Sequence, residues 1–165
     1  MLIRKAKIED LQQLLDIYNY EVVNGTATLD LNPKSIKEWE QWFYAHNVGN
    51  HPLFVAEIDG KVAGYTSFSS FREKEAYKST VELSVYISLD FRRQGVATEL
   101  MRYILDEAKK SDDIHTIVSV ITDGNDASQK LHQKFGFEFC GTIKEVGTKF
   151  GKYVNINNYS ISVKR

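Results

Sequence analysis

Two runs of residues have types and spacings that could do chemistry. The first is Arg92-Arg93-Gln94-Gly95-Val96-Ala97, with Thr98 following. A helix that starts here leaves unpaired backbone N–H groups pointing out of its N-terminus. Gly95 and Ala97 carry little or no side chain, so a ligand can come close, and two arginines stand beside them. Such a turn suits a pyrophosphate. It lacks the Gly-Lys-Ser/Thr ending of a P-loop and is not the G-x-G-x-x-G of a dinucleotide fold. A basic turn leading into an ordinary helix is the plainer alternative. Upstream lies Glu82, ten residues before Arg92, roughly 30 Å away if the chain is fully extended. The second run is Asn125-Asp-Ala-Ser128-Gln-Lys-Leu-His132. Asn125, Ser128 and His132 fall at i, i+3 and i+7, on one helix face. Their plain alternatives are a helix cap, a cap-region hydroxyl and a solvated helix residue. For Glu82 the plain alternative is a solvated strand carboxylate.

These residues need elements to hold them. From Val81 to Ile87 apolar residues alternate with Glu82, Ser84 and Tyr86, the period of a strand with two different faces. From about Gly95 to Lys110 apolar residues recur at Ala97, Leu100, Met101, Ile104, Leu105 and Ala108, which is helical spacing. Asp126 to Lys134 reads as a short helix ended by Gly136. In it Ala127, Leu131 and Phe135 form an apolar stripe expected to be buried.

The remaining chain supplies a scaffold. Leu2 to Ala6 reads as a strand, and Asp10 as the cap of a helix carrying Leu11, Leu14, Leu15, Tyr18 and Val22. Ser35-Ile-Lys-Glu38 is a capping-box pattern that opens a helix with Ile36, Trp39, Trp42 and Phe43, aromatics expected in the core. Leu53–Ile58 and Lys61–Phe68 read as strands joined by Asp59-Gly60, a two-residue hairpin signal. Thr116–Thr122, Phe137–Ile143 and Asn155–Val163 read as further strands. The order is β-α-α-β-β-β-α-β-α-β-β. The long helix can join two parallel strands while the hairpins pair antiparallel. An α/β fold follows, a twisted mixed sheet with helices on both faces. With no repeat, low-complexity tract or linker, residues 1–165 are read as a single domain.

Bulk properties narrow the partners. The chain is 42% hydrophobic and 26% charged, with a net charge of -1 and a pI near 6.4. Nothing in that balance calls for nucleic acid or an anionic membrane. No apolar run approaches membrane-spanning length and the N-terminus carries no signal-peptide core, so a cytoplasmic location is expected. One cysteine, Cys140, excludes an internal disulfide. Its apolar neighbours suggest a buried structural thiol.

The spacing Arg92-x-x-Gly95-x-Ala97 resembles the acyl-CoA signature Q/R-x-x-G-x-G/A of the Gcn5-related N-acetyltransferase (GNAT) superfamily. The element order is similar to its acyl-CoA N-acyltransferase fold. Within it, Ala76-Tyr77-Lys-Ser-Thr-Val-Glu82-Leu-Ser-Val-Tyr86-Ile87, the Leu131-His132 pair and Val146-Gly-Thr-Lys149-Phe-Gly151 resemble the phosphinothricin/methionine sulfone acetyltransferase family. Ile17-Tyr-Asn19 and Trp42-Phe43 extend the likeness, which covers nearly the whole chain. One departure lies near the end: relatives commonly show Lys-Phe-Gly-Arg-Trp-x-Asp, and this chain has Lys149-Phe-Gly-Lys-Tyr153-Val-Asn155.

The resemblance implies an acetyl-CoA-dependent N-acetyltransferase, with no metal, acting on the primary amine of a glutamate- or methionine-like small molecule. A protein N-terminal or lysine acetyltransferase and a non-catalytic CoA-binding module are the alternatives. It implies that Val85, Tyr86, Ile87 and Arg92 through Thr98 bind the cofactor, with Asn125 on the pantetheine arm and Ser128 nearby. It also implies a homodimer. Attack on a thioester needs a neutral amine, so a base must take a proton from the ammonium form. Glu82 is the candidate, its pKa raised by burial. His132 is its candidate partner, or the proton donor to the thiolate. Arg72 and Lys149 are cation candidates for a carboxylate or phosphinate, and Tyr77 for closing the pocket.

Overall fold

The computed structural model describes residues 1–163. Its strands are β1 (Leu2–Lys5), β2 (Leu53–Ile58), β3 (Lys61–Ser70), β4 (Thr80–Ile87), β5 (Thr116–Thr122), β6 (Glu138–Lys149) and β7 (Lys152–Ser162). They form one sheet in the order β1-β2-β3-β4-β5-β7-β6. Helices are α1 (Leu11–Asn24), α2 (Ile36–Tyr44), α3 (Val96–Lys110) and α4 (Asp126–Lys134). Hairpins join β2 to β3, β3 to β4 and β6 to β7 as antiparallel pairs, whereas β4 and β5 are parallel. A parallel pair needs a crossover, and α3 supplies it. The expected mixed α/β fold is the one found.

The sheet separates two cores. On one face Leu11, Leu14, Leu15 and Ile17 of α1 and Trp39 of α2 pack against Leu53, Val55, Val62 and Tyr65, with Tyr86 at the margin. On the other, Met101, Ile104, Leu105 and Ala108 of α3 pack against Phe54, Phe68, Val81, Leu83, Ile117 and Ile121, with Leu131 and Phe135 alongside. Because strand side chains alternate between faces, Val81 and Leu83 go to the α3 side. Glu82, Ser84 and Tyr86 go to the α1/α2 side.

Local chemistry explains most boundaries. Asp59 and Gly60 both have positive φ, 51° and 76°, as a two-residue hairpin turn requires. Ser35 caps α2 by accepting a hydrogen bond from the Glu38 N–H at 3.1 Å. Asp10 does not cap α1 as expected. Its carboxylate instead takes the guanidinium of Arg4 at 2.8 Å and the Lys7 N–H at 2.7 Å, tying β1 to the start of the helical region. The last two strands are longer than their patterns suggest. Register breaks at Phe139/Gly141 and Ile143/Gly147 interrupt the alternation that marks a strand. The turn between them is Phe150-Gly151, with φ 53° and 73°. Cys140 is exposed, not buried, because β6 is an edge strand; its Sγ lies 3.2 Å from the Ser160 hydroxyl. Among the described residues no helix is long and apolar enough to cross a membrane.

Candidate active site

Glu82 stands at a fork in the sheet. The parallel ladder pairs Thr80, Val81 and Glu82 with Thr116, Ile117 and Val118, and ends there. The antiparallel ladder to β3 continues from Glu82 through Ile87. Beyond Glu82, β4 therefore has a neighbour on one side only. Along a strand the backbone groups point alternately to the two sides, so part of the Leu83–Ile87 backbone faces the gap beside β5. A cleft of about 720 Å³ occupies that region. Val85, Tyr86 and Ile87 form one wall, the Arg92–Thr98 turn another, and Asn125, Ser128 and Leu131 a third.

The turn has the shape that an anion requires. Arg93 and Gly95 adopt left-handed conformations, φ 61° and 79°, and Gly95 precedes α3 with no side chain capping the helix. The first N–H groups of α3 are thus left for a ligand. A Cβ built on Gly95 would meet no atom within 4 Å, so the approach is open. All the cofactor candidates line the cleft except Gln94, whose amide turns back to the Asp90 carbonyl at 3.3 Å. Arg92 is engaged already: its guanidinium is ion-paired with Glu21 of α1, whose side chain is 13% exposed. Glu21, Thr26 and Ala27 also line the cleft. No short-range pattern in the sequence marks them, because α1 reaches the cleft only through packing across the sheet.

On the α4 side, Asn125 caps the helix, accepting from the Ser128 N–H at 3.3 Å, and also borders the cleft. The expected burial of the Ala127, Leu131 and Phe135 stripe is incomplete. Ala127 is exposed, and Ala127 and Leu131 line the cleft. The helix is rotated so that His132 takes the buried position, at 4% exposure. Its Nδ1 lies 2.7 Å from the Ser128 carbonyl and its Nε2 2.8 Å from the Ser119 hydroxyl. Its ring packs edge-on against Phe137 at 4.8 Å. Burial lowers its pKa, so it stays neutral.

That placement overturns one expectation. Ser119 alternates with Val118, the partner of Glu82, so His132 sits on the α3/α4 face and Glu82 on the other. The two do not meet, and both ring nitrogens of His132 are satisfied elsewhere. Lys149 is a second correction. It is 4% exposed, and its ammonium donates to the Thr28 carbonyl at 2.7 Å and the Glu21 carbonyl at 3.4 Å. It fastens the chain after α1 to the β6–β7 hairpin and does not line the cleft. Desolvation lowers its pKa. Arg72 and Tyr77 lie on the β3–β4 connection, exposed and half-buried, with the guanidinium 5.7 Å from the tyrosine ring centroid. Neither lines the cleft, but both leave the sheet at the end where Glu82 pairs with Ser69.

Glu82 itself is half-buried, and its carboxyl makes no side-chain hydrogen bond or ion pair among the described residues. Burial pushes its carboxyl above the ordinary carboxylate range. Tyr65, Ser67 and Ser69 of β3 share its face, opposite Tyr86, Ser84 and Glu82 respectively. Tyr65 and Tyr86 stack obliquely at 5.5 Å, and burial holds both phenols neutral. Glu82 does not itself line the cleft, whose β4 wall begins at Val85. A carboxylate without a cation partner, set at the fork where β4 parts from β5, is equipped to take a proton from a bound donor. Among the described residues no cluster of His, Cys, Asp and Glu could hold a metal ion.

Comparison with known proteins converges on one chemistry. A family model described as the acetyltransferase (GNAT) family matches residues 10–137. An L-methionine sulfoximine/L-methionine sulfone acetyltransferase of Pseudomonas paraeruginosa is 36% identical over 155 residues, covering 93% of this chain and 90% of that protein. The crystal structure of a ribosomal-protein-alanine N-acetyltransferase from Brucella melitensis superposes with a TM-score of 0.95 at 36% identity, covering 98% of this chain and 99% of that one. A GNAT-superfamily phosphinothricin acetyltransferase from Sinorhizobium meliloti, solved in complex with acetyl-CoA, gives a TM-score of 0.93 at 30% identity, with 98% and 87% covered.

Proposed function

Because the chain belongs to the acetyltransferase (GNAT) family, we propose that it moves an acetyl group from acetyl-CoA to the primary amine of a small amino-acid-like molecule. Methionine sulfoximine, methionine sulfone and phosphinothricin are the model substrates, by analogy with the activities named for its relatives. The observation that carries the reading is the fork at Glu82. An unpartnered carboxylate with a raised pKa stands at that fork, three residues before the β4 wall of the cleft begins at Val85, and an open helix N-terminus forms the cleft's far wall.

Residues 92–98 hold the pyrophosphate of acetyl-CoA, with the helix N–H groups supplying most of the donors. Backbone groups of Val85–Ile87 hold the pantetheine arm and polarise the thioester carbonyl, and Asn125 and Ser128 flank that arm. Bound acetyl-CoA supplies an activated acyl group. Glu82 removes a proton from the ammonium form of the amine. The nitrogen then forms a bond to the carbonyl carbon, and the carbon–sulfur bond breaks. The proton on Glu82 returns to solvent, the nitrogen sheds its second proton as the amide forms, and the leaving thiolate takes one up, so that one proton is released overall. Tyr77 closes the outer end, and Arg72 anchors the anionic group, its planar fork matching a carboxylate or phosphinate. The whole chain acts as one domain in the cytoplasm. It works as a homodimer, which the exposed Phe139, Ile143, Val146, Phe150 and Tyr153 of the β6–β7 hairpin support.

The test is thiol release from acetyl-CoA with a panel of amines. Methionine sulfone, methionine sulfoximine and phosphinothricin should be turned over faster than simple alkylamines. Arg72→Ala should raise KM for the anionic amines much more than for neutral ones. A peptide beginning with alanine as the best substrate would move the activity to protein N-termini. Acetyl-CoA binding without turnover of any amine would leave a CoA-binding module.

A further inference from the structure

We propose that Ser69 binds the substrate amine beside Glu82, and that His46 makes the Ser69 hydroxyl an obligate hydrogen-bond acceptor. The inference rests on the amine-acetyltransferase reading and adds a second acceptor to it.

His46 follows α2 and is 6% exposed. Its Nδ1 lies 2.7 Å from the Trp42 carbonyl oxygen. A carbonyl oxygen only accepts, so Nδ1 carries the hydrogen. Desolvation lowers the His46 pKa and keeps the ring neutral, which leaves Nε2 with a lone pair and no proton. That Nε2 lies 3.0 Å from the Ser69 hydroxyl. Ser69 must then donate its only hydroxyl proton to His46, and its remaining capacity is acceptance.

Ser69 is the cross-strand partner of Glu82, on the same face of the sheet. Side chains so paired have Cβ atoms about 4.5–5.5 Å apart. Ser69 is half-exposed, whereas its face neighbour Ser67 is buried at 2%. A primary ammonium brings three N–H donors into a partly dry site, and an unmet donor there is costly. Glu82 takes one. A hydroxyl that can only accept takes a second and turns the nitrogen toward the cleft. An alcohol, with one donor, gains nothing from the second acceptor, so the pair selects amines. His46 acts through Ser69 and is a positioning residue.

The experiment is steady-state kinetics of Ser69→Ala, His46→Asn and His46→Gln with methionine sulfone. It is joined to 15N NMR of the histidine rings in full-length protein. Ser69→Ala should raise KM for the amine about 10- to 100-fold, the worth of a hydrogen bond to a charged group, and leave KM for acetyl-CoA unchanged. His46→Asn keeps a donor near Trp42 but loses the acceptor, and should follow Ser69→Ala. His46→Gln offers an amide oxygen to Ser69 and should restore most of the amine affinity. NMR should show the Nδ1–H tautomer of His46, with an Nε2 resonance that moves in Ser69→Ala. An Nε2–H tautomer, or an unchanged amine KM in Ser69→Ala, overturns this proposal while wild-type turnover upholds the acetyltransferase reading. Failure of the wild-type enzyme to acetylate any amine overturns both.

Discussion

Glu82 and His132 lie on opposite faces of the central sheet. Glu82 shares its face with Ser69, Ser84 and Tyr86, beneath α1 and α2, while His132 bonds Ser119 on the α3/α4 side. A proton cannot pass directly between them. In the proposed reaction Glu82 acts without an imidazole relay from α4, and its raised pKa comes from burial alone.

Glu82→Gln keeps the shape of the side chain and removes the base. At neutral pH kcat/KM should fall by about 10²–10⁴, the usual worth of general base catalysis. The loss should shrink as pH rises and free amine becomes abundant. In the wild type, kcat/KM should climb with pH along a limb placed above the ordinary carboxylate value of about 4.3. A loss that is the same at every pH would make Glu82 a positioning group.

The same substitution should change stability in a defined window. The folded pKa of Glu82 lies above its unfolded value, so between the two the native state binds more protons. The contribution of Glu82 is fully present below about pH 4.3. It declines as pH rises through the folded pKa. Glu82→Gln should therefore match the wild type in acid and unfold at a higher Tm near neutrality. Thermal melts of both proteins from pH 4 to 8 test this, and a wild-type advantage that grows with pH would contradict it.

His132→Ala should act on the fold. It leaves the Ser119 hydroxyl and the Ser128 carbonyl short of a partner and opens a gap beside Phe137. A cost of about 1–3 kcal/mol is expected for a lost buried hydrogen-bonding group. Denaturant melts should show that loss while the shape of the pH–rate profile is retained. Movement of a pH limb in the folded variant would return His132 to the proton path.

Arg92 and Glu21 should be coupled in acetyl-CoA binding. Glu21 lines the cleft with its charge met by Arg92. Arg92→Ala leaves that carboxylate unpaired opposite the phosphates, which should weaken binding several-fold. Adding Glu21→Gln should recover part of the loss, and the double-mutant cycle should be clearly non-additive. Calorimetric titration with CoA at fixed salt measures it, and simple additivity would show that the pair is immaterial to the cofactor.

Gly95→Ala should weaken CoA binding and also cost some stability, because φ is 79° there. Valine, being β-branched, would strain the backbone further and blur the two effects. Binding to the folded alanine variant equal to wild type would remove the phosphates from this turn.

Several features were legible in the residues alone, since they depend on short-range chemistry. The alternation around Glu82, the helical spacing after Gly95, the Asp59-Gly60 hairpin and the Ser35 cap each follow from neighbours a few positions apart. So does the small, basic turn at Arg92–Ala97, which borders the cleft as its composition suggests. Long-range packing decided the rest. The helical period gives the faces of α4 but not its rotation, so His132 could be core and Ala127 cleft wall. Sequence shows an exposed-looking lysine at 149, and only the fold brings the Glu21 and Thr28 carbonyls to it. The length of a parallel ladder is not written in either strand. Where β4 leaves β5, and hence that Glu82 stands at the fork, is decided only when the whole sheet and its helices assemble. The approach of His46 to Ser69, 23 residues apart in the chain, has the same origin.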